Sequence, residues 1–325
     1  MRLESVRALK KELRAVAGGG ALKFTGSIGP WVGVSIGIAY GKSAEDYKLA
    51  IRFRSPVRLP FVERVVLQHI HITRGVPLSE LDVQHTGPVS AIPLAAAGPN
   101  GNGGLRIGSS VSHKVTRAGT LGFFAEPTGG GTPLLVSANH VIGRLDNALN
   151  GDDIVHPGGE STNPVVANFV KISERLRGGG EKRTDAASAK LTTNNFDPRS
   201  LPNGKRLQQP AASLEGISSV AKISDRSGET NGNIKSSDFD TFEVLSYSHD
   251  LNFVKFEDQI EVESSSASVR FSNPGDSGAV VYDQDGHIIG LLFAETEQGG
   301  LFGNGFAYVN PIHRILSGLG VNPIT

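Results

Sequence analysis

"FSNPGDSGAVVYDQDGHIIGLLF", residues 271–293, sets a serine between Gly275 and Gly278 and follows it with two short apolar runs joined through Asp-Gly. Glycines at those two places let the backbone bend sharply and turn its N–H groups inward. "DQDG" at 283–286 is a hairpin signal. The stretch therefore predicts a β-hairpin preceded by a tight turn that presents Ser277. A serine hydroxyl alone is a weak nucleophile; it needs a base within hydrogen-bond reach and a third group that fixes the base's tautomer. The reading of Ser277 depends on finding a histidine and a carboxylate elsewhere.

Two segments offer them. His140 ends the apolar strand pattern of "PLLVSANHV", and Asp185 opens "TDAASAKL". Taken singly, each residue has a plain structural explanation: a turn serine, a packed strand-end histidine, a strand cap. Taken together with the flanking glycines, they favour nucleophilic catalysis.

The surrounding text fits such a scaffold. From Ile107 onward, short apolar runs alternate with turn signals: "GTLGFFAE", "PLLVSANHVI", "VANFVKIS" and "DAASAKL", then "FEVLSYS", "FEDQIEVES", "GAVVYD", "HIIGLLFAE" and "GFAYVNPI". Regular short strands of this kind predict an all-β sandwich or barrel. The irregular stretch 192–212 separates two groups of strands, as a loop crossing between two β units would. Upstream, Leu3, Val6, Leu9, Leu13 and Val16 recur at helical spacing until Gly18–Gly20 stop them. That helix either docks by its apolar face on its own domain, or meets a partner or a membrane surface. Residues 31–40 and 48–54 predict strands, 60–70 a helix or loop, and "VPLSELDVQH" a further strand. These make a small α+β unit over 1–97, followed by a Gly/Asn-rich linker at 98–106 and a β domain at 107–325, with its two parts at about 107–195 and 213–318.

Composition removes several function classes. Acidic and basic residues balance at 32 each, so no overall field draws in nucleic acid or an anionic membrane. There is no cysteine, hence no disulfide and no thiolate chemistry. Charges interrupt the first twenty residues too often for a signal peptide, and no run approaches the roughly 18 apolar residues of a membrane span. A cytoplasmic location is the resulting expectation. His69 and His71 alternate in "QHIHIT" and would share a strand face, but no third metal ligand is evident. The glycine triplets at 129–131 and 178–180 lack the Lys-Ser/Thr of a phosphate cradle. No cofactor and no metal is expected.

In the order His, Asp, Ser, these segments resemble the trypsin-like, chymotrypsin-fold serine peptidases over residues 107–318. The chain is most similar to their cysteine-free bacterial branch through "GTLG" at 119–122, "SANHV" at 137–141, "GDDIVHPG" at 151–158, "DAASA" at 185–189 and "FSNPGDSG" at 271–278. The N-terminal unit is similar to the leader domain that often precedes such peptidases. The resemblance implies a mainly β fold of two antiparallel β-barrels after a small α+β domain, and a polypeptide substrate. It implies Ser277 as nucleophile, His140 as general base and then acid, Asp185 as the orienting carboxylate, and the N–H groups of Gly275 and Ser277 as the oxyanion hole.

The substrate pocket falls on Phe271, Ser272, Phe293, Ala294 and Glu295. Phe271 stands where peptidases that cut after Lys or Arg carry an acidic residue, whereas Glu295 at the pocket's edge either attracts a basic side chain or is a solvated loop-edge charge, so the cleavage residue stays open. Asp276 suggests activation by cutting after Arg106, freeing Ile107 to pair with it. The leader otherwise has the roles of positioning substrate or binding a regulatory partner. The competing reading is a latent or inactive peptidase-derived binding module.

Overall fold

In the computed structural model, which describes residues 1–18, 33–41, 46–55, 57–96, 104–201, 204–240, 242–248 and 251–325, the N-terminal third is built from two periodicities. Helix α1 (Leu3–Gly18) sets Val6 and Leu13 against strands β1 (Val34–Tyr40) and β2 (Tyr47–Phe53). Ile36, Ile38, Leu49, Ile51 and Phe53, every second residue, supply the other side of that core. Val62, Val66 and Ile70, four apart, complete it from α2 (Pro60–Arg74), which Gly75 ends at φ 64°.

The strand face imagined for His69 and His71 is thereby corrected. Two residues apart on a helix point about 200° away from each other. Both are exposed, and His71 Nδ1 lies 2.8 Å from the Val76 carbonyl. β3 (Leu81–His85) pairs parallel to β2, and β4 (Val89–Ala91) follows. The expected linker lies mostly outside the described residues; its last two, Leu105–Arg106, form a short parallel bridge to Phe196–Asp197.

The rest is mainly β, as expected. β5 (Ser110–His113), β6 (Phe123–Pro127), β7 (Leu134–Ser137), β8 (Asp153–Val155), β9 (Val165–Ile172) and β10 (Ala187–Leu191) form one curled antiparallel sheet, in the order β6-β7-β10-β9-β8-β5, a half-barrel where a closed one was expected and the first of the two barrel units. The second unit comprises β11 (Ser219–Ser224), β12 (Gly228–Asp240), β13 (Phe242–Ser248), β14 (Leu251–Phe256), β15 (Gln259–Ser264), β16 (Val280–Asp283), β17 (Ile288–Thr296) and β18 (Phe306–Pro311). Here β12, β15, β18, β17, β16 and β11 pair in turn, and β11 returns to β12, closing a six-stranded barrel. Closure leaves no free edge among those six pairings.

"DQDG" is the β16–β17 turn, as read. Its Asp283, Asp285 and His287 lie close together. Asp283 accounts for that by accepting from the Asp285 and His287 amides at 2.9 Å and facing His287 Nδ1 at 3.1 Å. Helix α3 (Ile312–Leu319) carries the chain back to the first barrel, where β19 (Val321–Pro323) pairs with β6. One apolar cluster spans both barrels, running from Phe124 and Leu135 to Val280, Tyr282 and Leu291.

The N-terminal strands extend the second barrel's sheet: β1 pairs antiparallel with β12, and β4 lies between β17 and β13. Gly37 permits the first junction, since a Cβ there would stand 2.2 Å from the Phe239 ring. Arg52, on the β2 face turned away from the helices, is fully buried. It donates to Glu261 at 2.7 Å and to Asp82 at 2.7 Å, while Tyr308 Oη also donates to Glu261 at 2.9 Å. Breaking such a pair strands a charge without solvent. Arg52→Met is expected to lower the unfolding free energy by about 3–5 kcal/mol in urea titration, with Arg52→Met/Glu261→Met recovering most of the loss.

Candidate active site

His140 and Asp185 come from the first barrel and Ser277 from the second. After β7, residues Asn139–Gly143 make one wide π-type turn that buries His140. The turn is followed by Arg144, Leu145 and Asp146, all with positive φ, a backbone state that costs energy for residues other than glycine. The Asp146 carboxylate holds it there, accepting from Asn139 Nδ2 at 2.7 Å and from the Leu176 and Arg177 amides at 3.1 and 2.7 Å.

Asp185 is fully buried just before β10. Its Oδ1 accepts the His140 amide at 3.0 Å and its Oδ2 lies 2.6 Å from His140 Nδ1. That contact leaves Nε2 as the free face of the ring, and Ser277 Oγ is hydrogen-bonded to it. The structure thus brings together the three residues that stand 45 and 137 positions apart in sequence.

Two further residues hold Asp185, and neither was legible as functional. Tyr247 of β13 donates its hydroxyl to Asp185 Oδ2 at 2.9 Å, with its ring edge-on to His140 at 5.5 Å between centroids. Burial, and secondarily the Asp185 charge, push the Tyr247 phenol well above its ordinary range, so it remains a donor. Asn310 of β18 accepts the Asp185 amide at 2.8 Å and is itself fixed by Gln259 at 2.6 Å.

The turn before Ser277 is anchored from inside the second barrel. Asp276 is fully buried and faces Lys222 of β11, equally buried, at 2.6 Å. Ser224 donates to Asp276 Oδ1, Ser227 donates to both oxygens at 2.8 and 2.7 Å, and the Asn273 amide donates to Oδ2 at 2.9 Å. Desolvation pulls the Lys222 ammonium below the ordinary lysine range, and the adjacent carboxylate opposes that fall.

In the uncut chain the Asp276 carboxylate already has its partners: a lysine of the same barrel supplies the cation, and hydroxyls and an amide fill the remaining acceptor sites. Ile107 is buried in the inter-barrel cluster, and Arg106 pairs with Asp225 at 3.1 Å.

The apolar pocket residues divide between two buried clusters. Phe293 and Ala294 belong to one, Phe293 against Phe256 with ring centroids 4.7 Å apart. Phe271 is buried with Leu292 and Ala279 in the second barrel's core. Ser272 donates to Glu295 at 2.6 Å, and burial raises the Glu295 carboxyl above its usual range. Gly275, at φ 94°, directs its N–H into the cleft, where it donates to the Pro93 carbonyl at 2.8 Å.

No protein-family model and no curated protein matches this chain. Solved structures of bacterial proteases do. Thermobifida fusca Protease A aligns over 68% of this chain and 98% of its own, at TM-score 0.46 and 15% identity. The Nocardiopsis protease aligns over 69% and 98%, at 0.44 and 17%, and Cellulomonas bogoriensis chymotrypsin over 68% and 98%, at 0.45 and 17%. At these identities the likeness is one of fold alone.

Lys222→Met would leave the Asp276 carboxylate buried without its cation. The expected cost is about 3–5 kcal/mol in chemical unfolding, with Ser277 losing reactivity toward a fluorophosphonate at denaturant concentrations where the variant is still folded.

Proposed function

We propose that the chain is a serine endopeptidase in which Ser277, His140 and Asp185 act as nucleophile, general base and orienting carboxylate. The observation that carries this is the continuous line Ser277 Oγ, His140 Nε2, His140 Nδ1, Asp185 Oδ2, assembled from both barrels. Nε2 takes the hydroxyl proton as Oγ attacks the peptide carbonyl carbon, and returns it to the leaving amine when the C–N bond breaks. Water then attacks the acyl-enzyme by the same route and releases the acid. Asp185, held by the His140 amide and Tyr247, keeps the proton on Nδ1 and stabilises the imidazolium. The Gly275 and Ser277 N–H groups are the donors for the developing oxyanion, each contributing about 3 kcal/mol. Polypeptide is the fitting substrate, since the β17 edge beside Ser277 holds an extended backbone, residues 89–91 of this chain, by main-chain pairing.

A fluorophosphonate probe tests this directly. One adduct, mapped to Ser277 by peptide mass, is expected in folded protein and in neither Ser277→Ala nor His140→Ala. In an active form, each of these substitutions is expected to lower kcat by about six orders of magnitude. Folded protein with no adduct after prolonged incubation would point instead to a binding module.

A further inference from the structure

The edge of β17 beside Ser277 is already occupied by the chain itself. β16 runs along this edge as far as Val280 opposite Leu291, and the Gly278 amide donates to the Leu292 carbonyl at 2.8 Å. β18 covers the opposite edge from Gly290 to Glu295. Where β16 leaves, residues 89–92 take over: Ile92 N–H donates to the Phe293 carbonyl at 3.0 Å, and Ala91, Ser90 and Val89 pair antiparallel with Ala294, Glu295 and Thr296. The next residue, Pro93, accepts the Gly275 N–H. Ala95 then exchanges two 2.9 Å backbone hydrogen bonds with Ala118 of the first barrel. A Cβ on Gly275 would come within 3.0 Å of Ala95 Cβ, so the segment lies directly on the turn. The Ile92 side chain is 1% exposed and packs in the apolar cluster that contains Phe271, Ala279 and Leu292.

We infer that residues 89–95 are an intramolecular inhibitor lying in the peptide-binding cleft, and that Ile92 marks a pocket selective for branched aliphatic side chains. This rests on the reading of Ser277 as nucleophile. Extended pairing on the edge nearest the nucleophile, a buried side chain beside Phe271 and a carbonyl on the Gly275 amide are three features of a bound peptide. They are out of step by one residue. The buried side chain belongs to Ile92, whereas the carbonyl held by Gly275 belongs to Pro93. The residue anchored in the pocket is therefore not the one whose carbonyl is polarised, and the segment fills the cleft without being placed for acylation. Substrate enters only when the segment leaves, so the apparent activity is scaled by the fraction of molecules with an open cleft.

The test uses the full chain and the chromogenic substrate Val-Ser-Ala-Ile-p-nitroanilide, which matches residues 89–92. Ile92→Asp, which sets a charge in the apolar pocket, is expected to hydrolyse it about tenfold or more faster than wild type, with Ile92→Ala intermediate. A synthetic peptide of residues 87–95 added in trans is expected to suppress both variants, and the same peptide carrying Ile92→Asp to have no effect. Substrates ending in Arg or Glu are expected to be hydrolysed far more slowly than the Ile substrate. Circular dichroism melts establish that each variant is folded; if Ile92→Asp is not, Ile92→Ala and the trans peptide decide the matter. Equal hydrolysis by wild type and variants, with Ser277 labelled in all, would overturn the inference while leaving the peptidase reading intact. Scission of wild type after Ile92 or Pro93, seen by intact mass, would overturn it as well, since the segment would then be a substrate. Absence of Ser277 labelling in every folded form would instead reject the peptidase reading on which the inference rests.

Discussion

A buried ion pair, Lys222 with Asp276, holds the rest of the site in place. Both groups are fully removed from solvent, an arrangement tolerable only when charge and hydrogen-bonding capacity are matched. Here the Ser224 and Ser227 hydroxyls and the Asn273 amide complete the acceptor sites of the carboxylate. The consequence is positional. Asp276 stands between Gly275 and Ser277, so fixing its side chain inside the barrel turns the flanking backbone outward, toward His140 on one side and the cleft on the other. The cation comes from β11 of the same barrel.

The same second barrel organises the N-terminal third. Its sheet continues through β12 into β1, β2 and β3, and through β17 into β4 and β13. Arg52 secures the first continuation through Glu261. Lys10, on α1, adds a contact to Asp240 at 2.9 Å. The second continuation runs past Ser277. Because β4 is bonded to β17 on one side and to β13 on the other, and β13 carries Tyr247, the segment that fills the cleft and the residue that steadies Asp185 belong to one sheet. Displacing β4 would therefore be felt at the β13 strand as well as in the cleft.

The parts of this arrangement legible from sequence were those whose chemistry is local. Gly275 and Gly278 around Ser277, the strand end before His140 and the small residues after Asp185 each declare a backbone requirement within a few positions. Alternating short strands declared the barrels in the same way. What escaped was set by distant partners. Lys222, in "SVAKIS", looks like a solvated strand lysine until Asp276 is found beneath it. Tyr247 and Asn310 are ordinary strand residues until topology brings them to Asp185. "VSAIPLA" carries too few residues between glycine and proline to announce a strand, and its pairing depends on an edge built some 200 residues later. The histidines of α2 were misassigned because two alternating positions fit a strand locally, while the four-residue spacing of Val62, Val66 and Ile70 becomes decisive only over the whole segment.

The central claim is that folding alone assembles the hydrogen-bonded line from Ser277 to Asp185, even with the cleft filled. Proton NMR of nitrogen-labelled protein tests it most directly, because a proton held between His140 Nδ1 and Asp185 Oδ2 at 2.6 Å resonates far downfield of backbone amides. One such resonance is expected in the wild type, lost in Asp185→Asn and in His140→Ala, and retained in Ile92→Asp. A folded wild-type protein without it, or a downfield signal that survives Asp185→Asn, would contradict the assembled line.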